Sequence, residues 1–306
     1  VVNRPSWIGG SGWNNNAINQ RPGWVNNNIT NINTNVSNRW NTAFTRPVQS
    51  GWWNRPADRL GYWSGWGDGV RHHWGHYHDC HHWFGSNWWA YHPHTLCGWH
   101  YYHNWGRYPS NYWWRVPAWG ALTSWFTWTS TPTVVWQQPV YYDYGAGGNV
   151  TYQDNSVYIG GEMVGTSAEF AATAANLATV PPPATPEEAE KAEWMPLGTF
   201  IVTAGDQDLD PSRTIQLAVS REGVIAGTLY NVDTDAAASV QGQVDRNTQR
   251  VAMRVGEGDE LVVETGLYNL TQNEAPLLVH YGPDRTETWL LVRLEAPPEE
   301  GAAATP

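Results

Sequence analysis

Lysine is nearly missing from this chain: Lys191 stands alone in 306 residues, against sixteen arginines. Cationic contacts therefore fall to arginine, which stacks on aromatic faces and forks to acceptors as lysine does not. Cysteine is almost as scarce. Cys80 and Cys97 are the two present, too few to make a zinc site by themselves, and no C-x-x-C-H run exists for c-type haem attachment. There is no G-x-S-x-G elbow for a nucleophilic serine. No run of about 18 apolar residues occurs, so no membrane span is expected. The chain begins at Val1 without a signal peptide and is expected to be a processed or truncated form.

Acid is scarce in the first part. Residues 1–120 carry nine Arg and only Asp58, Asp68 and Asp79, a balance of +6, and residues 121–306 carry the rest, to a net charge of −11. A basic part joined to an acidic part can attract the opposite part of a neighbouring copy. The arginines are scattered and the whole is acidic, so nucleic acid is not an expected partner.

Aliphatic residues are what the stretch 71–108 lacks. It holds ten of the eleven histidines, both cysteines and six of the 22 tryptophans. A core here has to be built from stacked rings whose N–H groups need partners. Twenty of the tryptophans fall between Trp7 and Trp136, too many for one sugar-binding cleft, so most are expected to pack on each other.

Along the chain, residues 1–60 read as an Asn-, Trp- and Arg-Pro-rich arm. Within it Val25, Ile29, Ile32, Val36, Trp40 and Phe44 form one helical stripe over 24–44. Its other faces are asparagine, which costs roughly 0.6 kcal/mol per residue relative to alanine in a helix. The helix therefore needs its stripe buried, on its own chain or on another subunit. Residues 51–70 read as a Gly-Trp coil. A short helix is expected after Pro117, with Trp119, Leu122, Trp125 and Phe126 on one face. An aromatic domain over 61–180 ends in β-hairpins turning at Gly145–Asn149 and Asp154–Asn155, then a helix over 167–178 opened by a Thr166/Glu169 capping box. A Pro/Glu linker fills 181–193. Eight short strands between 194 and 297 predict an antiparallel meander that closes as a barrel, with an open, strongly curved sheet as the alternative, and residues 187–297 are expected to fold alone. Residues 298–306 are a tail. The fold class is thus mainly β with some α, in several domains.

Candidate sites are few. His72, His76, His78, His92 and His94 are the candidate ligands for copper or zinc, though their spacing matches no established site and histidine here also alternates with Trp, Tyr and Asn as a stacking residue would. A disulfide between Cys80 and Cys97 is expected, closing a short loop at a gain of roughly 3 kcal/mol. Asp206, Asp208 and Asp210 read as solvated loop charges. Asn28, Asn35, Asn149 and Asn269 begin glycosylation sequons.

The blocks CGWHYYHNWGRYPSNYWW, PVYYDYGAGGNVTYQDNSVYIGGEMVG, EWMPLGTF, LYNVDTD and GLYNLTQNEAPLLVHYGPDRTETWLLVRLE resemble a family of predicted secreted proteins of planctomycetal bacteria, often labelled protocadherin-like cell-surface proteins. The resemblance covers about 70–296. It implies an extracellular location and supplies no catalytic residue; the acidic calcium motifs of a cadherin are not in the sequence. The expectation is a secreted structural protein, not an enzyme. It would polymerise with copies of itself through its aromatic N-terminal part, the six-residue stripe making the contact and the barrel displayed outward. The alternatives are a monomeric module binding surface polysaccharide and a histidine-rich metal binder.

Overall fold

The computed structural model describes residues 21–25, 39, 57–92, 108–109, 111–127, 139–256 and 261–297. The α-helices lying wholly among the described residues are α1 (Ala57–His73), α2 (Ser86–Tyr91), α3 (Trp119–Trp125), α4 (Ser167–Ala178) and α5 (Pro186–Lys191). Strands β1 (Val150–Gln153), β2 (Ser156–Ile159) and β3 (Glu162–Thr166) form a small antiparallel sheet. The remaining strands are β4 (Trp194–Thr203), β5 (Arg213–Ser220), β6 (Val224–Asn231), β7 (Ala236–Asp245), β8 (Arg250–Val255), β9 (Leu261–Gly266), β10 (Glu274–Tyr281) and β11 (Thr286–Arg293).

β4 to β11 make the expected closed up-and-down barrel. Each strand pairs antiparallel with the next, and the last returns to the first through Leu290↔Thr203 to Arg293↔Phe200, which leaves the barrel no exposed edge. Inward positions are apolar and fill the lumen, as with Phe200, Ile215, Leu229, Met253, Leu277 and Leu291. Among the described residues the lumen keeps a cavity of about 20 Å³, lined by Val202, Ile215, Val255 and Trp289 among others. It is too small for more than a water-sized guest.

One end of the barrel is stoppered by α3. Leu122 and Phe126 are buried in the barrel core, and Trp119 and Trp125 pack beside them. The expected shared face of this helix is what the barrel covers. Trp125 Nε1 donates to Val219 O at 3.2 Å, and the Arg221 guanidinium lies 4.4 Å from the Trp125 ring centre. Also at this end, Arg293 sits over Phe200 and donates to the carbonyls of Leu197, Leu270 and Gln272. Gly198, at φ +109 beside a β4 bulge, makes room: a Cβ there would stand 2.1 Å from Arg293 Nη1.

The outer wall is covered too. Every residue of β5, β6, β8 and β9 is buried. The alternation of an ordinary sheet, with one wet face, is absent here because the aromatic layer lies on β5 and β6 and α4 lies on β8 and β9. Trp63, Trp66, Trp74, Trp83, Trp113 and Trp114 form one buried layer with outward-facing Ile201, Ala226, Leu290 and Val292. A wall hydroxyl answers one of these indoles: Trp66 Nε1 donates to Thr203 Oγ1 at 3.3 Å. The barrel is therefore the surface on which the aromatic part is built. It is not a separate body displayed beside a stem.

One expectation is corrected here. The Gly-Trp stretch is helix, not coil: α1 runs for 17 residues. Its Trp63, Trp66, Val70 and following Trp74 are spaced 3, 4 and 4, a helical stripe that four glycines in the same helix had obscured. Of the stripe from Val25, only its first residue is described. Trp24 and Val25 pack against Ala174, Ala175 and Ala178 of their own α4, and Arg39 Nη1 stands 3.9 Å from Glu169. The stripe thus starts on its own chain. Ile29, Ile32, Val36, Trp40 and Phe44 lie outside the described residues.

The hairpin and α4 follow the sequence reading closely. Asp154 and Asn155 turn with positive φ of +47 and +60, the geometry of a two-residue hairpin loop. The capping box of Thr166 and Glu169 is formed in both directions. Segment 140–144 is extended and held by side-chain amides in place of a strand. Asn269 bonds both the N–H and the carbonyl of Tyr142, and Asn149 bonds Tyr141 O and Asp143 N.

Candidate functional site

The described part of the histidine stretch, up to His92, lies against the barrel wall and its rim at the end opposite α3. Trp74 Nε1 donates to Pro211 O at 3.0 Å, Gly75 N donates to Asp210 Oδ1 at 2.9 Å, and Trp83 and Trp88 both meet Tyr230 edge-on at 5.1 Å. That end is acidic. Its described connections carry Asp206, Asp208, Asp210, Asp233, Asp235 and Asp284 against Arg285 alone. The connections at the opposite end, by contrast, carry Arg221, Arg246 and Glu222.

The candidate metal ligands do not converge. His72 and His78 are exposed, and His76 is half-buried against Trp74 and Trp83. Among the described residues no group of three or more His, Cys, Asp or Glu side chains is arranged to hold a metal ion. His94 lies outside the described residues. His92 has other work: Nδ1 is 2.9 Å from Trp88 O and Nε2 is 2.8 Å from Asp235 Oδ1, so both ring nitrogens are engaged. Asp235 also accepts from Tyr230 Oη at 2.9 Å. His92 and Tyr230 together hold its carboxyl below the usual range.

The expected disulfide is not formed. Cys80 carries a free, buried thiol whose Sγ donates to Tyr77 O at 3.0 Å. Burial, with the charge of Asp79 nearby, pushes the thiol up to about 12, which keeps it protonated and unreactive. Cys97 lies outside the described residues. Of the sequons, Asn269 is fully buried and Asn149 spends its Nδ2 on Tyr141 O, so neither side chain is free to accept a glycan. Asn28 and Asn35 are outside the described residues. Asp208 takes Arg213 at 3.6 Å and Asp210 takes Gly75 N, which makes them partners within the loop layer.

A second polar cluster lies beneath α4, on the barrel's outer wall. Arg250 donates to Glu264 through both Nε and Nη2, and to Thr173 Oγ1 and Phe170 O. Its guanidinium sits 4.2 Å from the Phe170 ring centre. His280 Nε2 stands 3.3 Å from the same carboxylate oxygen of Glu264, at ion-pair distance but without hydrogen-bond alignment. All three side chains are buried. Burial drives the Glu264 carboxyl up, but Arg250 and His280 outweigh it and hold the group below the ordinary range. Tyr142, Tyr144 and Tyr152 close over the cluster, and burial raises each phenol well above its usual value. The cluster is a charged weld between the hairpin unit and the barrel. Sequence reasoning missed it because its members sit on three strands with no shared motif.

A third linkage joins α1 to the same hairpin unit. Arg59 forks to Asp143 at 3.0 and 2.6 Å, and Trp63 Nε1 donates to Asp143 Oδ1 at 2.9 Å. No helix among the described residues is long and apolar enough to cross a membrane. No family model, curated protein or solved structure matches the chain.

Proposed function

We propose that the protein is a structural building block that assembles with copies of itself outside the cell. The observation that carries this reading is the separation of charge. Six described carboxylates ring one end of the barrel, while the first 120 residues hold nine arginines and three aspartates. The acidic end of one copy is complementary to the arginine-rich part of the next, and such contacts set register more than affinity. The packed lumen and the covered wall support a solid brick in preference to a carrier of small ligands. The extracellular placement rests on the resemblance to secreted planctomycetal proteins. Because Val25 packs on its own chain, the contact in this reading is made by charged surfaces and not by the start of that stripe.

Light scattering of the whole protein tests the proposal. Large species are expected at low salt, shrinking as the Debye length falls from about 30 Å at 0.01 M to about 3 Å at 1 M salt. Asp206→Asn, Asp233→Asn and Asp284→Asn combined should weaken assembly and leave the fold intact, since these carboxylates hold no partner element in place. A strictly monomeric protein at all salt concentrations would overturn the reading. The polysaccharide module would then lead, on the strength of Tyr77 and Tyr91, which present their rings to solvent beside the histidines.

A further inference from the structure

We propose that Tyr62 and Asp206 form a seat, at the acidic end of the barrel, for an arginine of a second copy. This rests on the assembly reading above and gives it a contact. The chain's own arginines show what such a seat needs. Arg213 stands 4.8 Å from the Trp289 ring centre and 3.6 Å from Asp208. Arg285 stands 4.6 Å from the Tyr281 ring centre and 2.6 Å from Glu287. Arg59 stands 5.0 Å from the Trp63 ring centre and 2.6 Å from Asp143. Arg221, on Trp125 and Glu193, and Arg250, on Phe170 and Glu264, repeat the pattern. A ring can hold the face of a guanidinium while a carboxylate holds its edge. An ammonium has no flat face to offer, which fits a chain with sixteen arginines and Lys191 alone.

Tyr62 and Asp206 supply a ring and a carboxylate at the surface. Tyr62 lies one turn before Trp66 in α1, with ring centres 6.1 Å apart. Trp66 Nε1 donates to Thr203 Oγ1, which lies 3.1 Å from Gly205 O. Tyr62 is thereby held beside the 204–212 connection. Burial, and then the charge of Asp206, push its phenol up from the usual value, as expected of a carboxylate close by. Tyr62 is 43% exposed, and Asp206 is exposed. Arg59 stands 5.2 Å from the Tyr62 ring centre, but its fork is held by Asp143 and Tyr144 O. The Asp206 carboxylate takes one long hydrogen bond, 3.4 Å, from the adjoining Gln207. Among the described residues no guanidinium joins this ring to this carboxylate.

Arginine is what the first part of the chain has in excess. Residues 1–120 carry nine arginines against three aspartates, and Arg4, Arg21, Arg46 and Arg55 each stand before a proline. An arginine from that part carries the charge that the acidic end attracts. Tyr62 beside Asp206 adds a flat face for it to stack on. The contact joins two different surfaces, one on each copy, so it can repeat from copy to copy. One exposed ring with one exposed charge holds weakly. Its signature is therefore a preference for guanidinium over ammonium at equal charge.

A peptide of residues 3–7 (NRPSW) and its twin with lysine for Arg4 are to be titrated onto the whole chain carrying ring-labelled tyrosine. The arginine peptide should move the Tyr62 ring signals and bind about two- to fivefold more tightly than its twin. Tyr62→Phe should keep that preference, since the ring remains. Tyr62→Leu should lose it, and Asp206→Asn should weaken the binding of both peptides. In light scattering, Tyr62→Leu should assemble less than Tyr62→Phe. Equal binding of the two peptides to wild type, or a preference that survives Tyr62→Leu, would overturn the seat and leave the assembly reading standing. Assembly of Tyr62→Leu at the wild-type level would overturn the second copy as its occupant. A wild type that never assembles overturns the assembly reading, and that occupant with it, even where the peptide binds.

Discussion

Glu264 shows how much can rest on one side chain. It is buried on the outer wall between Arg250 and His280, and its ionised form is the only anion among the three. Glu264→Gln would leave the Arg250 guanidinium buried without its counter-charge, at a cost of about 3–5 kcal/mol, read as a loss of thermal and denaturant stability. Because the native carboxyl is held below its ordinary range, its contribution is present above the unfolded-state value. It is lost as the pH falls through the lowered native one. Acid unfolding should therefore be steep in the wild type and shallower in the Gln variant. None of this could be read from the sequence: Arg250 and Glu264 are adjacent only because β8 and β9 pair in a register that places Ala252 opposite Glu264. Asp235, the partner of His92, is 143 residues away along the chain. The histidines were visible as a composition, but their chemistry depends on partners that composition does not name.

At the level of elements, legibility followed periodicity. The eight strands were found to within a few residues because alternation persists on their inward faces, and α4 was found because a capping box marks its start. α1 escaped because its glycines weaken the helical signal, each by roughly 1 kcal/mol relative to alanine. The helix forms all the same because Trp63, Trp66 and Val70 are buried on the barrel, and tertiary burial outweighs propensity. This makes a test. Gly61 and Gly65 are exposed, and a Cβ at either would meet nothing within 4 Å. Gly61→Ala and Gly65→Ala should each raise stability by roughly 0.5–1 kcal/mol, seen as a higher Tm. Gly67 differs, since a Cβ there would stand 2.9 Å from Glu274, and alanine should bring little or no gain.

For the whole molecule, the Pro-rich stretch at 180–186 marks a change of composition but not a boundary in packing. Both faces of the barrel wall are buried, one by the lumen and one by the aromatic layer and α4. Expressed alone, residues 194–297 would uncover Ile201, Ala226, Leu290 and Val292 together, a continuous apolar surface of the kind that drives association. The fragment is expected to aggregate or to bind apolar dyes strongly. A soluble, monomeric fragment with native strand content on circular dichroism would show that the layer is dispensable. The sequence argued for independence here because linker composition and strand pattern are local signals, whereas the cover is made by residues far off along the chain, from α1 to α4.

The cover and the thing covered also appear in a fixed order. Synthesis proceeds from the N-terminus, so the tryptophans of α1 exist before the wall that receives them. Their seat is complete only when β11, ending at Arg293, has closed on β4. The nascent chain must keep the tryptophans of α1 unsatisfied until β11 has been made. Maturation is then a single late event, dominated by contacts between distant positions and slow for that reason, and a chain cut short anywhere before β11 has no surface on which to fold.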